Sequence, residues 1–243
     1  MITFKQFISE GIEDRGIFKA IFILGSPGAG KSYSVKKLTG QIQPVIINTD
    51  KAVEFIAKRD GTKAESETWS MFRDSALRIT KNQLEQYLNG MLPLFVDGTS
   101  NNTSNILHRI GILESLGYDV GIVHVTADWD LIKARIEQRN SKTNRKVDIA
   151  FAEKVFKQAP ENIAFLKGKV SFFKEFRNGH EVMDNSELDE IFKEVQKFFS
   201  GPVVNPVGKR NIEKLKAGKQ KYMVPTIVSQ EALNNKTDGW YRE

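Results

Sequence analysis

Residues 25–32 read GSPGAGKS, which places Gly25, Gly30, Lys31 and Ser32 at the spacing G-x-x-x-x-G-K-[ST]. The residue types answer what a phosphate needs. Glycines let the backbone curl until successive N–H groups converge on an anion, and a helix beginning at the end of the curl adds the positive end of its dipole. Lys31 is long enough to reach the β- and γ-phosphates of a nucleotide, and the Ser32 hydroxyl is placed to ligate Mg²⁺. The apolar run Ala20-Ile21-Phe22-Ile23-Leu24 before the loop and the amphipathic pattern after it supply the strand and helix such a loop requires. Gly25, Ser26, Gly28, Ala29, Gly30, Lys31, Ser32 and Tyr33 are therefore expected to line a nucleotide site.

A phosphate site alone does not say what happens to the nucleotide. The second reactant must come from neighbouring loops, which in a parallel sheet gather at the carboxyl ends of the strands. The second apolar run ends in Ile46-Ile47-Asn48-Thr49-Asp50, and the third in Phe95-Val96-Asp97-Gly98-Thr99-Ser100-Asn101-Asn102. After the fourth come Asp128-Trp129-Asp130 and the arginine-rich stretch ARIEQRNSKTNRKV, 134–147. Asp50 is suited to accept a proton from an attacking hydroxyl, or else to cap the helix that follows. Asp97 stands where an acid holds Mg²⁺ or its waters, facing Ser32. Thr99, Asn101 and Asn102 offer hydrogen bonds to an acceptor. Arg135 and Arg139 are four apart on one helical face, with Arg145 in the following loop. Guanidinium groups closing over the phosphates would neutralise charge on the transferring group; a surface ion pair is the other use for Arg135.

These residues need a scaffold that brings strand ends together. Strands are expected at 18–24, 45–49, 92–96, 118–125 and 180–184. Helices are expected at 30–39, 51–59, 67–89, 103–116, 128–140, 149–176 with a break near Pro160, and 187–199. Strands alternating with helices of this length imply right-handed crossovers, hence an α/β fold of three layers. Its mostly parallel sheet of about five strands carries helices on both faces. A chain of 243 residues, 40% hydrophobic, is ample for that core. No apolar run approaches the ~20 residues of a membrane span, so no membrane partner is expected. The chain has no cysteine, which excludes disulfides, thiol nucleophiles and Cys-ligated zinc, and fits a cytoplasmic setting. His108, His124 and His180 show no ligand spacing.

Over most of 18–200 the chain resembles the P-loop phosphotransferases of the polynucleotide-kinase and zeta-toxin type. The resemblance lies in GSPGAGKS, INTD, FVDGTSNN and the lid-like RNSKTNRKV. It implies the three-layer P-loop kinase fold, ATP and Mg²⁺ as cofactors, Asp50 as general base, and Arg139 and Arg145 as lid arginines. The words RNSK and the aspartate after strand two are similar to phage polynucleotide 5′-hydroxyl kinases in particular. The turn after Asp50, Lys51-Ala52-Val53-Glu54, lacks the arginine that family often carries there. Three readings therefore stand: transfer to the 5′-hydroxyl of a polynucleotide, transfer to a nucleotide sugar or other small molecule, and nucleotide binding without transfer.

The two ends carry expectations of their own. Residues 1–16 read as a leader or docking helix, 17–200 as the kinase domain and 201–243 as a basic tail. MITFKQFISE before Gly11 resembles the leaders of tailed-phage proteins packed into the capsid and clipped after an I-x-E triplet, here Ile8-Ser9-Glu10. That implies a phage origin, a capsid or scaffold partner and packaging in the head. The alternative is a helix docked by Ile2, Phe4, Phe7 and Ile8. Residues 201–243 hold eight Lys/Arg and four Asp/Glu, so +4 of the formal +6 resides there. A nucleic-acid partner or a solvated tail accounts for it equally well.

Overall fold

The structure, a computed structural model, describes residues 16–39, 44–62, 66–142, 147–179, 185–218 and 240. At its centre runs β1 (Lys19–Leu24), buried at all six positions, as a strand covered on both faces must be. On either side lie β3 (Leu94–Gly98) and β4 (Asp119–Thr126), with β2 (Val45–Ile47) and β5 (Phe172–Arg177) at the edges. The order is β2-β3-β1-β4-β5 and all four pairings are parallel. The crossovers are α1 (Lys31–Leu38), α2 (Thr49–Arg59), α3 (Ser66–Asn89), α4 (Thr103–Leu116), α5 (Trp129–Lys142) and α6 (Ile149–Lys167), followed by α7 (Asn185–Ser200) and α8 (Pro206–Gly218). This is the three-layer α/β architecture that the alternating sequence implies.

The period-two alternation of β1 divides the core. Ala20, Phe22 and Leu24 face one cluster with Leu84 and Leu88 of α3, Ile106, Ile110 and Leu113 of α4, and Leu166 of α6. Ile21 and Ile23 face the other, with Val35 and Leu38 of α1, Ile132 and Ile136 of α5, and Val195 and Phe199 of α7. A third, smaller cluster joins α2 to α3 through Val53, Ile56, Phe72 and Ala76. The aromatic stripe of 67–89 is thus core packing where its side chains are described.

Two elements differ from the sequence expectation. The stretch 149–176 is not one broken helix: α6 runs through Pro160 without interruption, forgoing only the bond that residue cannot donate, and ends at Lys167. The fifth strand is then 172–177. The expected strand at 180–184 lies outside the described residues, as do the leader 1–10 and His180. The second difference is α8, which forms within the expected tail. Asn205 accepts from the N–H groups of Val207 at 2.8 Å and Gly208 at 3.3 Å, and Pro206 opens the helix where a missing N–H costs nothing. Farther on, Trp240 is 1% exposed, stacked on Phe22 with its carbonyl accepting from Arg109 Nε at 2.8 Å.

The amino edge of the sheet is fastened by a buried ion pair. Lys19 Nζ donates to Asp119 Oδ2 at 2.7 Å and to the Pro202 carbonyl at 2.9 Å. Asp119 also accepts from the N–H groups of Val204 at 2.9 Å and Asn205 at 2.8 Å. One carboxylate thus ties β1, β4 and the approach to α8. Asp119→Ala strands a lysine only 3% exposed, and urea denaturation should show a loss of about 3–5 kcal/mol, the usual cost of removing one partner from a buried pair.

Candidate active site

The loop after β1 takes its shape from contacts that leave no room for side chains. A Cβ on Gly25 would stand 2.2 Å from the Val125 carbonyl oxygen of β4. At Gly30 the backbone is left-handed, φ 99°, and a Cβ would lie 1.9 Å from Asn178 Nδ2. Gly30 precedes α1 and offers no side-chain cap, and the first turn of α1 contains no acid. The start of α1 thus presents the positive end of its dipole, with no acid or side-chain cap to offset it, where an anionic ligand would sit. Lys31 folds over the loop, donating to the carbonyls of Gly25 at 2.7 Å and Ser26 at 3.2 Å. Ser32 is exposed. Tyr33 gives its N–H to the Gly30 carbonyl at 3.0 Å, while its ring lies on the exposed face of α1 near Lys37.

Register brings the acids together. Ile23 pairs with Asp97 and Ile47 with Val96, so Asp97 lies beside the end of β1 and Asn48 beside Asp97. Asn48 Nδ2 donates to Asp97 Oδ2 at 2.7 Å, and its Oδ1 accepts from the Lys51 N–H at 3.2 Å, capping α2. The cap is therefore Asn48, and Asp50 in the first turn of α2 is not needed for that role. Burial pushes the Asp97 carboxyl above the usual carboxylate range; Lys31 pulls against this, and Asp50 adds to it. Asp97 Oδ1 is closed to solvent without a hydrogen-bond partner among the described residues. An oxygen of this kind, beside the phosphate loop and its lysine, fits a hard divalent cation or its waters, with Ser32 as the second donor.

Beyond Asp97, the Thr99 hydroxyl donates to Asn101 Oδ1, and Asn102 caps α4 by accepting from the Asn105 N–H at 2.9 Å. Both asparagines are exposed at the strand end. Among the described residues no surface acid pairs with Arg135. Its Nη1 donates to the Ala29 carbonyl at 3.4 Å, and its Nη2 to Asn178 Oδ1 at 3.4 Å and the Gly179 carbonyl at 3.3 Å, so it grips the loop from outside. Arg139 is half-buried one turn farther along α5, and Arg145 lies outside the described residues. Asn140 joins the two sides of that gap, donating to the Val147 carbonyl at 2.9 Å and accepting its N–H at 2.8 Å.

Two participants, Asn48 and Asn178, escape the sequence reading. Asn48 stands inside INTD, and an asparagine two residues before an acid at a helix start is itself a cap signal. Asn178 follows the strand whose place was missed. His124, 5% exposed on β4, holds Glu175 of β5 at 3.0 Å through Nδ1. Burial lowers its pKa, and the Glu175 carboxylate works in the opposite direction.

A family model described as zeta toxin matches residues 9–193. Among solved structures, one from Chloroflexus aurantiacus J-10-fl, assigned as a kinase, is similar at TM-score 0.53 and 13% identity, covering 74% of this chain and 98% of that one. A second, from the PezAT chromosomal toxin–antitoxin system of Streptococcus pneumoniae, is similar at TM-score 0.50 and 18% identity, with 83% of each chain covered. At such identities the likeness is one of fold. No curated protein matches the sequence.

The Asp97 geometry generates a test. Because its folded-state pKa is raised, ionised Asp97 costs the ligand-free chain stability, and the cost disappears as pH falls and the carboxyl protonates. Asp97→Asn should therefore raise the melting temperature of the ligand-free chain at pH 7. The advantage should shrink in melts toward pH 4, while Mg²⁺-dependent turnover is lost.

Proposed function

The chain belongs to the zeta toxin family of P-loop kinases, and on that premise we propose that it transfers the γ-phosphoryl group of ATP to a hydroxyl of a small molecule of nucleotide-sugar type. The observation that carries this is Asp50. It stands in the first turn of α2, close enough to raise the pKa of Asp97, with the capping role already filled by Asn48. A carboxylate so placed is suited to chemistry. In the proposed reaction Asp50 takes the proton of the acceptor hydroxyl as its oxygen bonds to the γ-phosphorus, and the bond from that phosphorus to the β–γ bridging oxygen breaks, releasing ADP.

The other residues hold charge. Lys31 exchanges its contacts with the Gly25 and Ser26 carbonyls for the β- and γ-phosphate oxygens. The N–H groups of the loop and of the first turn of α1 take the remaining phosphate oxygens. Ser32 and Asp97 would hold Mg²⁺, which when bound neutralises charge between the β- and γ-phosphates. Arg139 and Arg145 are the cations assigned to the transferring group. Thr99, Asn101 and Asn102 offer an acceptor hydrogen bonds without charge.

That neutrality supports a small acceptor over a polynucleotide. The start of α8, with Lys209 and Arg210, is docked on Gly117 and Asp119 at the amino edge of the sheet. These two cations of the basic tail therefore stand at the end opposite the phosphate loop.

Two measurements decide between the readings. Asp50→Asn should leave ATP binding nearly intact and lower transfer by roughly 10²–10⁴, the worth of a positioned base; loss of fold along with activity would return Asp50 to a structural role. With γ-labelled ATP and an acceptor panel, label should appear on nucleotide sugars or small hydroxyl compounds. Label on oligonucleotide 5′ ends, declining steeply between roughly 50 and 200 mM salt, would establish the polynucleotide reading instead, and tight binding without turnover would remove the kinase.

A further inference from the structure

We propose that Asn178 is a positioning residue for nucleotide binding, fixing the Ala29–Gly30 peptide so that the Gly30 N–H faces the phosphate. The inference rests on the nucleotide site described above but not on the identity of the acceptor. Asn178 is 5% exposed, and its Nδ2 donates to the Ala29 carbonyl at 2.9 Å. In a trans peptide the C=O and the following N–H point in opposite directions. Holding the Ala29 oxygen toward β5 therefore turns the Gly30 N–H away from β5, to the side where the loop takes its anion. Among the described residues none accepts a hydrogen bond from that N–H, which leaves it for a ligand.

The asparagine is held in its turn. Its own N–H donates to the Thr126 carbonyl at 2.7 Å, directly beyond the last β4–β5 pair, Thr126 and Arg177. Its side-chain orientation follows from its partners: the nitrogen faces the Ala29 oxygen and the oxygen faces the Arg135 guanidinium. Arg135 reaches the same carbonyl only at 3.4 Å, so the short bond is that of Asn178. The approach also explains why residue 30 is glycine, because any Cβ there would collide with this amide. A buried amide on a rigid strand end that bonds the loop, and does not bond the core, acts on ligand binding by keeping one donor pre-aimed.

The test is ADP titration of the full chain by calorimetry, which needs no acceptor. Asn178→Ala should weaken ADP binding about tenfold, the scale of one hydrogen bond and its orphaned carbonyl. It should do so both in the native background and in Arg135→Ala, with each variant lowered in ligand-free melting temperature but still folded at the titration temperature. Unchanged affinity overturns the proposal. So does a loss that vanishes in the Arg135→Ala background, which would mean that Asn178 acts only by holding Arg135. A readout that stability alone would not move is the Gly30 amide resonance, expected to shift on ADP addition in the native chain and to lose that shift in Asn178→Ala. Should the variants not fold, hydrogen exchange decides in the unsubstituted chain: a slowly exchanging Asn178 side-chain amide supports the proposal, and one exchanging as fast as exposed asparagines overturns it. If the unsubstituted chain itself fails to bind ADP, the nucleotide site falls and the positioning role with it.

Discussion

A phosphate loop must keep several backbone donors and a lysine convergent while no anion is there to hold them, and the rest of this fold answers that constraint. The donors repel one another's partial charges, and the backbone bends through a conformation that only glycine adopts at Gly30. The bend is braced from two sides. β4 presses the Val125 carbonyl against Gly25, and the end of β5 presents Asn178 and, through it, Arg135 to the Ala29 carbonyl. Lys31 meanwhile lies on the carbonyls of its own loop, which places its positive charge on oxygens until phosphate oxygens replace them.

Charge balance connects this loop to the acids. Asp97 lies far enough inside that burial outweighs the attraction of Lys31, and Asp50 nearby makes ionisation harder still. Two carboxylates held close, one with an oxygen that no described group satisfies, form an arrangement that costs stability and is relieved by a cation. The same feature that weakens the ligand-free site would, on the proposed reading, give a Mg²⁺-bound nucleotide something to gain on arrival. Asn48 is the economical part of the design: one side chain starts α2 and holds Asp97 Oδ2, which sets the direction of the remaining oxygen.

The readable parts of the sequence were those whose signal is local. GSPGAGKS is bounded by the apolar run Ala20–Leu24 and a helix, and both lie where that boundary places them. Asp50 and Asp97 were legible because each follows a run of β-branched or aromatic residues. β5 was not, since Phe172, Phe173 and Phe176 sit at i, i+1 and i+4, a spacing that also continues a helix. Their charged neighbours Lys174, Glu175 and Arg177 belong to an edge strand that must discourage further pairing. Losing β5 concealed Asn178, whose role depends on β4–β5 register and on no pattern of its own. α8 went unread for a different reason. Asn205-Pro206 is a helix-start signal, but in GPVVNPVGKR the neighbouring glycines and prolines read as loop, and only its docking on Gly117 and Tyr118 makes the helix worth forming.

The two edges of the sheet therefore do different work. At the amino edge, Lys19 and Asp119 are both buried and every strong contact of the carboxylate is satisfied, by Nζ and by two backbone N–H groups. At the carboxyl edge, Asp97 keeps an oxygen that no described residue satisfies and sits across from a lysine that leans on carbonyls. Similar residue types give opposite results because of what surrounds them. An acid with all its partners supplied by the chain adds to the specificity of the fold, whereas an acid with a partner withheld has an interaction left to make. Trp240 reinforces the first arrangement by filling the face of β1 at Phe22 and capturing Arg109, so part of the segment after α8 is core. With the scaffold fastened from below and behind, the loops above it can hold strained glycines and uncompensated charge without loss of the fold, and the chemistry is confined to the edge where that imbalance remains.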